Sequence, residues 1–356
     1  MRSENAQPRQ YFAAANSQNG FVNYFPQIFD MGRCRRLFVI LGGPGTGKSS
    51  FMRYVGSRAE QRDYEVIYYA CSSDADSLDG LFIPALSVGF VDGTAPHVWH
   101  PRAVGIVEQW INLGAFWDED LLAERREKIE KLNREKGASY RRAYSYLSAV
   151  GSVRKALEEK ICAILDAEKM TRAAERIVSR YAPEREAHPA VEIGLCDSIG
   201  MGGRVRFDTY ERAYGHHFVV EDFGDTAHFL FAELYALLQR RGVSVRVSYD
   251  PILCHRINAL EILENGVTVS LAARDSEDTV IRMRRFVDTE AFREIRSLYR
   301  ETQAVEEELL ALSEGAFSEI RRVHFELERL FGETMDFSGK ERFGKTFCKQ
   351  LFDRTT

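Results

Sequence analysis

The stretch Leu41-Gly42-Gly43-Pro44-Gly45-Thr46-Gly47-Lys48-Ser49-Ser50 decides how the rest of the chain is read. An apolar run, Leu37-Phe38-Val39-Ile40-Leu41, precedes it, and a helical pattern from Ser49 to about Arg62 follows. The spacing Gly42-x-x-x-x-Gly47-Lys48-Ser49 is that of a phosphate-binding loop between a strand and a helix. The residue types suit that task. Glycines let the backbone curl around an anion so that several N–H groups point inward. The following helix adds the positive end of its dipole. Lys48 is the candidate for the β/γ-phosphates and the Ser49 hydroxyl for Mg²⁺. Gly42, Gly43, Pro44, Gly45, Thr46, Gly47, Lys48, Ser49 and Ser50 are together the candidate nucleotide contacts, with a purely structural glycine turn as the alternative.

The bulk properties bound the possibilities. A chain of 356 residues is long for one core and suggests two or three domains. A formal net charge of −5 argues against a general attraction to nucleic acid, so that partner is not expected. Six cysteines are scattered without a C-x-x-C pair, which reads as reduced thiols in a cytoplasm. Residues 1–9 read as disordered, and Met1 to Gln10 lacks the apolar core of a signal peptide. No run of 18 apolar residues is present to span a membrane.

Downstream of the glycine loop, Asp63 to Cys71 reads as a second strand. Ser72 to Gly80 reads as a polar loop in which Asp74, Asp76 and Asp79 are candidates for touching Mg²⁺, its waters or a substrate; helix capping is the alternative. Ser87 to Asp92 is a hydrophobic strand ending in aspartate, the pattern that holds Mg²⁺ opposite the loop serine, so Ser49 and Asp92 are the candidate metal ligands. No glutamate follows Asp92 to polarise a water. His97 is a candidate for orienting the γ-phosphate or a water, and Arg102 for sensing phosphate. Lys48, Asp92 and His97 are thus the candidate catalytic residues. Before the first strand, Tyr11 to Asn16 and Gly20 to Phe25 supply aromatic residues that either pack on the core or contact the base.

From Asp118 the composition becomes helical, with Gly137 breaking the pattern and a further break near Gly151. This reads as a helical hairpin whose charged faces are solvated and whose job is contact with partner helices. Pro183 to Gly203 reads as a linker. The two halves then overlay at an offset of about 180 residues. Phe38-Val39-Ile40 lies over Phe218-Val219-Val220, and Gly42 to Ser49 over Asp222 to Phe229. In that overlay Lys48 becomes His228 and Ser49 becomes Phe229, and the Asp92 strand meets a partner near Leu271 with no aspartate. Phe116-Trp117-Asp118 lies over Phe286-Val287-Asp288, and Gly137-Ala138 over Gly315-Ala316. The segments are therefore 1–115, 116–182, 183–285 and 286–356: a nucleotide domain, a helical hairpin, a degenerate copy of the first, and a C-terminal helical region.

Tyr11 to Asn16, Gly20 to Tyr24, Gly42 to Ser50, Cys71 to Asp74, Asp76 to Gly80 and Val91 to His97 make the sequence resemble an uncharacterised bacterial family of P-loop ATPases with tandem nucleotide-binding-like domains. The resemblance covers the first 180 residues well and the rest weakly. It implies ATP binding; the second P-loop that it also implies lacks its lysine and serine here. The expected fold is α/β: a duplicated P-loop NTPase, each copy a mainly parallel three-layer α/β/α sheet with a helical hairpin insertion. The expected function is binding of ATP and Mg²⁺ in the first half, with hydrolysis coupled to conformational change. A small-molecule kinase and a non-catalytic nucleotide-sensing or scaffold protein are the rivals. Partner identity beyond nucleotide, base preference and oligomeric state stay open.

Overall fold

The apolar run ahead of the glycine loop is a buried strand in the computed structural model, which describes residues 8–97, 99–185, 188–273 and 278–353. In chain order the first half contains β1 (Arg9–Phe12), β2 (Ala14–Ser17), β3 (Gly20–Asn23), the single turn α1 (Phe25–Ile28), β4 (Arg36–Leu41), α2 (Lys48–Glu60), β5 (Ile67–Ala70), β6 (Leu78–Ile83), β7 (Val88–Asp92), β8 (Glu108–Asn112), α3 (Glu119–Glu124), α4 (Arg126–Ala163) and α5 (Ala167–Tyr181). The second half contains β9 (Val191–Ile193), β10 (Asp197–Gly200), β11 (Gly203–Arg206), β12 (His217–Glu221), α6 (Ala227–Arg240), β13 (Val245–Tyr249), β14 (Ile257–Ile262), β15 (Val267–Ser270), β16 (Thr279–Arg282), α7 (Thr289–Gly332) and α8 (Phe337–Asp353). The reading of residues 1–7 as disordered lies outside the described residues, and Arg9 already belongs to β1.

The fold is α/β, with two six-stranded mixed sheets ordered β1-β5-β6-β7-β4-β8 and β9-β13-β14-β15-β12-β16. Strand for strand the orders match, and so does the direction of every pairing. The strand orders of the two halves are therefore compatible with a duplication. The match includes the hairpin β2–β3, whose counterpart β10–β11 occupies the segment expected to be a linker. Gly200 to Gly203 is the turn of that second hairpin.

The sheets are less parallel than expected. Leu78, Asp79 and Gly80 are already strand, and β6 runs antiparallel to both β5 and β7. The connection from Ala70 to Leu78 is too short for the crossover that a parallel neighbour needs, so the chain turns straight back. Apart from the single turn α1, helices cover one face of each sheet rather than both. On the first sheet Phe38, Ile40, Leu81 and Phe90 pack against α2 and α8. The alternate residues Leu37, Val39, Tyr69 and Val91 face inward, where α1 and second-half residues such as Leu195, Tyr210 and Ala259 complete one cluster. Tyr11, Phe12, Tyr24 and Phe25 belong to this core, so these early aromatics are packing residues.

The helices cross over between the halves. α5 packs on α6 and the second sheet, whereas α8, last in the chain, packs on α2 and the first sheet. The long helices α4 and α7 lie antiparallel along each other. Ala143, Leu147 and Val150 meet Leu310, Phe317 and Ile320, and Leu132 meets Val323 and Leu327, the three-and-four spacing of a packed helical stripe. The partner-helix surface expected of the hairpin is thus filled from within the chain. A division at 115, 182 and 285 would separate layers that share cores. α4 also runs unbroken through Gly137 and Gly151, because a 38-residue helix held along its length by tertiary contacts absorbs the weak propensity of glycine. The overlay of Gly137 on Gly315 fails on register: the matched caps Asp118 and Asp288 set an offset of 170 there, which puts Gly137 over Glu307. No described helix is long and apolar enough to cross a membrane.

Candidate functional site

β4 lies between β7 and β8, so its carboxyl end delivers the glycine loop beside the end of β7. Gly42, Gly45 and Gly47 have φ of +146°, +73° and +76°, values that β-carbon-bearing residues avoid. Thr46, fully buried, donates its hydroxyl to the Gly43 carbonyl at 2.9 Å and fastens the turn. Gly43, Pro44, Gly45, Gly47, Lys48, Ser49, Ser50, Asp92 and His97 all line one cavity of about 590 Å³; Gly42 and Thr46 shape the loop from behind. Lys48 Nζ donates to the carbonyls of Gly42 (2.6 Å) and Gly43 (3.1 Å) and lies 3.5 Å from Asp92 Oδ2. Asp92 Oδ1 accepts from the Thr94 amide at 2.8 Å and the Thr94 hydroxyl at 2.5 Å. Burial raises the Asp92 pKa, opposed mainly by Lys48. Ser49 Oγ accepts from the Leu78 amide at 3.0 Å, tying the loop to the start of β6.

The far end of the cavity brings Asp79 to His97, with Oδ2 3.0 Å from Nε2 and both residues buried. Phe21 and Phe25 stand edge-on to the His97 ring. Burial lowers the His97 pKa, but the Asp79 and Asp92 carboxylates outweigh it and the net shift is upward. Cys71 Sγ joins them: a sulfur, a carboxylate oxygen and a ring nitrogen lie within 4.8 Å of one another. Asp74 lines the cavity, whereas Asp76, His100 and Arg102 are exposed and do not. Arg102 donates its backbone amide to Glu108.

Several lining residues come from elements that the sequence could not attach to the loop. α4 contributes Lys136 and Tyr140, the turn after β10 contributes Met201, and α7 contributes His324 and Glu328. Lys136 Nζ is 3.0 Å from His324 Nδ1, whose Nε2 is 3.5 Å from Glu328. The Tyr140 hydroxyl donates to Ser73 at 3.0 Å. The Glu328 carbonyl presses on Gly45 so closely that any side chain there would strike it. The one pattern in the sequence that hints at these residues is the four-residue spacing of 136/140 and 324/328 on one helix face each.

The second loop has the same frame and different contents. Thr226 donates to the Phe223 carbonyl at 2.9 Å, as Thr46 does to Gly43. Asp222, over Gly42, turns its carboxylate into the loop and accepts from the amides of Asp225 (3.1 Å), Thr226 (2.9 Å) and Ala227 (2.8 Å). Gly42 has no side chain to do this for the amides of Gly45, Thr46 and Gly47. His228, over Lys48, lies 3.4 Å from Glu158, and Arg256 bridges Asp225 (2.7 Å) and Glu158 (3.2 Å). Leu271 and Asn258 stand over Asp92 and Asp79. The loop that carries His97 is shortened in the second half, where the offset between copies falls from 180 at β4/β12 to 170 at β8/β16. Comparison with protein-family models, curated proteins and solved structures finds no match.

Proposed function

We propose that the first half binds a nucleoside triphosphate with Mg²⁺ and hydrolyses it to drive a conformational change, on a duplicated P-loop NTPase fold whose second loop has lost its phosphate chemistry. The observation that carries this is the contrast at one position. Where Asp222 supplies a carboxylate to three loop amides, Gly42 leaves the matching amides for an outside anion. Beside them stand Lys48 and two hard oxygen donors, Ser49 and Asp92, which suit Mg²⁺. Bound there, the ion would offset charge on the phosphate oxygens. Lys48 exchanges the Gly42 and Gly43 carbonyls for phosphate. His97, held by Asp79 with its pKa raised, favours the charged form and meets a phosphate oxygen better than it accepts a proton from water.

Isothermal titration with Mg-ATP tests the reading: one nucleotide per chain is expected, and either none or two overturns it. A second reading, phosphotransfer to a small molecule, is favoured by the extension of the same cavity past the loop to Ser73, Asp74 and Tyr140, where an acceptor would fit. Inorganic phosphate as product supports hydrolysis, whereas a phosphorylated metabolite with little phosphate release supports transfer.

A further inference from the structure

The last helix of the chain brings a lysine to the first loop. Lys340 lies in the first turn of α8, is 9% exposed, and points its ammonium at Gly47 so closely that a side chain on Gly47 would collide with it. Gly47 is the residue whose left-handed backbone opens α2, so the ammonium stands over the positive end of that helix. Among the described residues no carboxylate lies within ion-pair distance of it, and the Phe337 ring is 5.2 Å away. Burial lowers its pKa against a smaller raising effect from Glu341. An ammonium on a side chain this covered, with no counter-ion, is unfavourable beside a helix N-terminus of the same sign.

The other copy shows what the position holds when no anion is expected. Asp166 and Asp336 open α5 and α8, and Leu165 and Met335 form matching bridges to Val287 and Trp117. In that register Lys340 falls over Met170, which is 6% exposed within an apolar cluster. The two helices are packed alike, so the fold itself accepts a methionine there. The half whose loop contains its own carboxylate has the methionine, and the half whose loop is left for a ligand has the lysine.

We propose that Lys340 is a phosphate-binding residue of the first-half site, a second cation beside Lys48 supplied across the molecule by the second half. This rests on the nucleotide reading above. The ligand it meets is the phosphate chain of a nucleoside triphosphate, and binding then ties α8 to the start of α2. Phosphate contact by Lys340 is also a direct route by which occupancy of one half is felt by the other.

The test is Lys340→Met, the side chain found in the other copy, with Lys340→Arg and Lys48→Met beside it, each titrated calorimetrically with Mg-ATP and with adenosine. Loss of one charge-assisted contact weakens Mg-ATP binding about tenfold or more in Lys340→Met, leaves adenosine binding unchanged and lowers the salt dependence of binding; Lys340→Arg recovers part of the loss. The ligand-free Lys340→Met protein melts no lower than wild type, because a cation facing the like-signed end of α2 has gone; a residue needed only for packing would show the reverse. Wild-type affinity in Lys340→Met, with Lys48→Met impaired, overturns the assignment of Lys340 alone. A wild-type chain that binds no triphosphate overturns both.

Discussion

Lys48→Met separates the ion pair with Asp92 from the proposed contact with phosphate. In the structure the Lys48 ammonium lies 3.5 Å from Asp92 Oδ2, with the two side chains only 13% and 10% exposed. At that separation the gross attraction is about 5 kcal/mol for an effective dielectric constant near 20. Most of it is offset by desolvation, and removing one member of such a pair costs roughly 3 kcal/mol because the other charge is left buried alone. Asp92 responds by taking up a proton, since burial already raises its pKa and Lys48 is the chief opposing influence. The single variant should therefore lose about 2–3 kcal/mol of unfolding free energy. Adding Asp92→Asn should restore most of that loss. Neither variant should bind Mg-ATP well: a charge-assisted contact to phosphate is worth about 1.5–3 kcal/mol, or roughly 10- to 150-fold in affinity. Urea unfolding midpoints and calorimetric titration read the two effects separately. Wild-type nucleotide affinity in Lys48→Met/Asp92→Asn would refute the phosphate role. A double variant no more stable than the single would refute the ion-pair reasoning.

Three further outcomes check the fold around the site. Gly137→Ala should stabilise by about 0.5–1 kcal/mol in urea unfolding, since its new methyl meets only the tip of Arg141, whereas Gly151→Ala should destabilise because Gln18 fills the space. Deleting residues 337–356 should leave the first sheet uncovered, as Cys348, Leu351 and Phe352 bury against it at about 1.5–3 kcal/mol for each large side chain, so the truncated chain should aggregate or bind a hydrophobic dye. Arg256→Met should lower stability by about 1 kcal/mol, because Asp225 and Glu158 lose a shared cation but stay partly in water, yet leave one Mg-ATP per chain; a change in stoichiometry counts against a purely structural second loop.

Cavity residues split cleanly by how far apart they lie in sequence. Gly42 to Ser50 could be read because loop, strand and helix are local, and the demand for positive φ writes itself as glycine. Asp92 could be read because parallel strands bring their carboxyl ends to one edge. Asp79 was legible as a candidate but not as the partner of His97: that pairing needs β6 to reverse beside β7. The linker reading of 183–203 failed because short strands with glycine turns have the same composition as loops, and β9 becomes strand only by pairing with β13.

By itself the sequence determined the α/β class, the glycine loop with its lysine and serine, and the existence of a second, altered copy. These are local facts of period, spacing and backbone freedom, present in any short window of the chain. Tertiary structure alone decided which half each helix serves, that Asp222 fills its own loop, and that Lys136, His324, Glu328 and Lys340 reach the first one. The physical reason is that an amphipathic helix specifies only that one face be buried. Whether α8 covers the sheet nearest in sequence or the one at the far end of the chain depends on where α4 and α7, running antiparallel past each other, carry it.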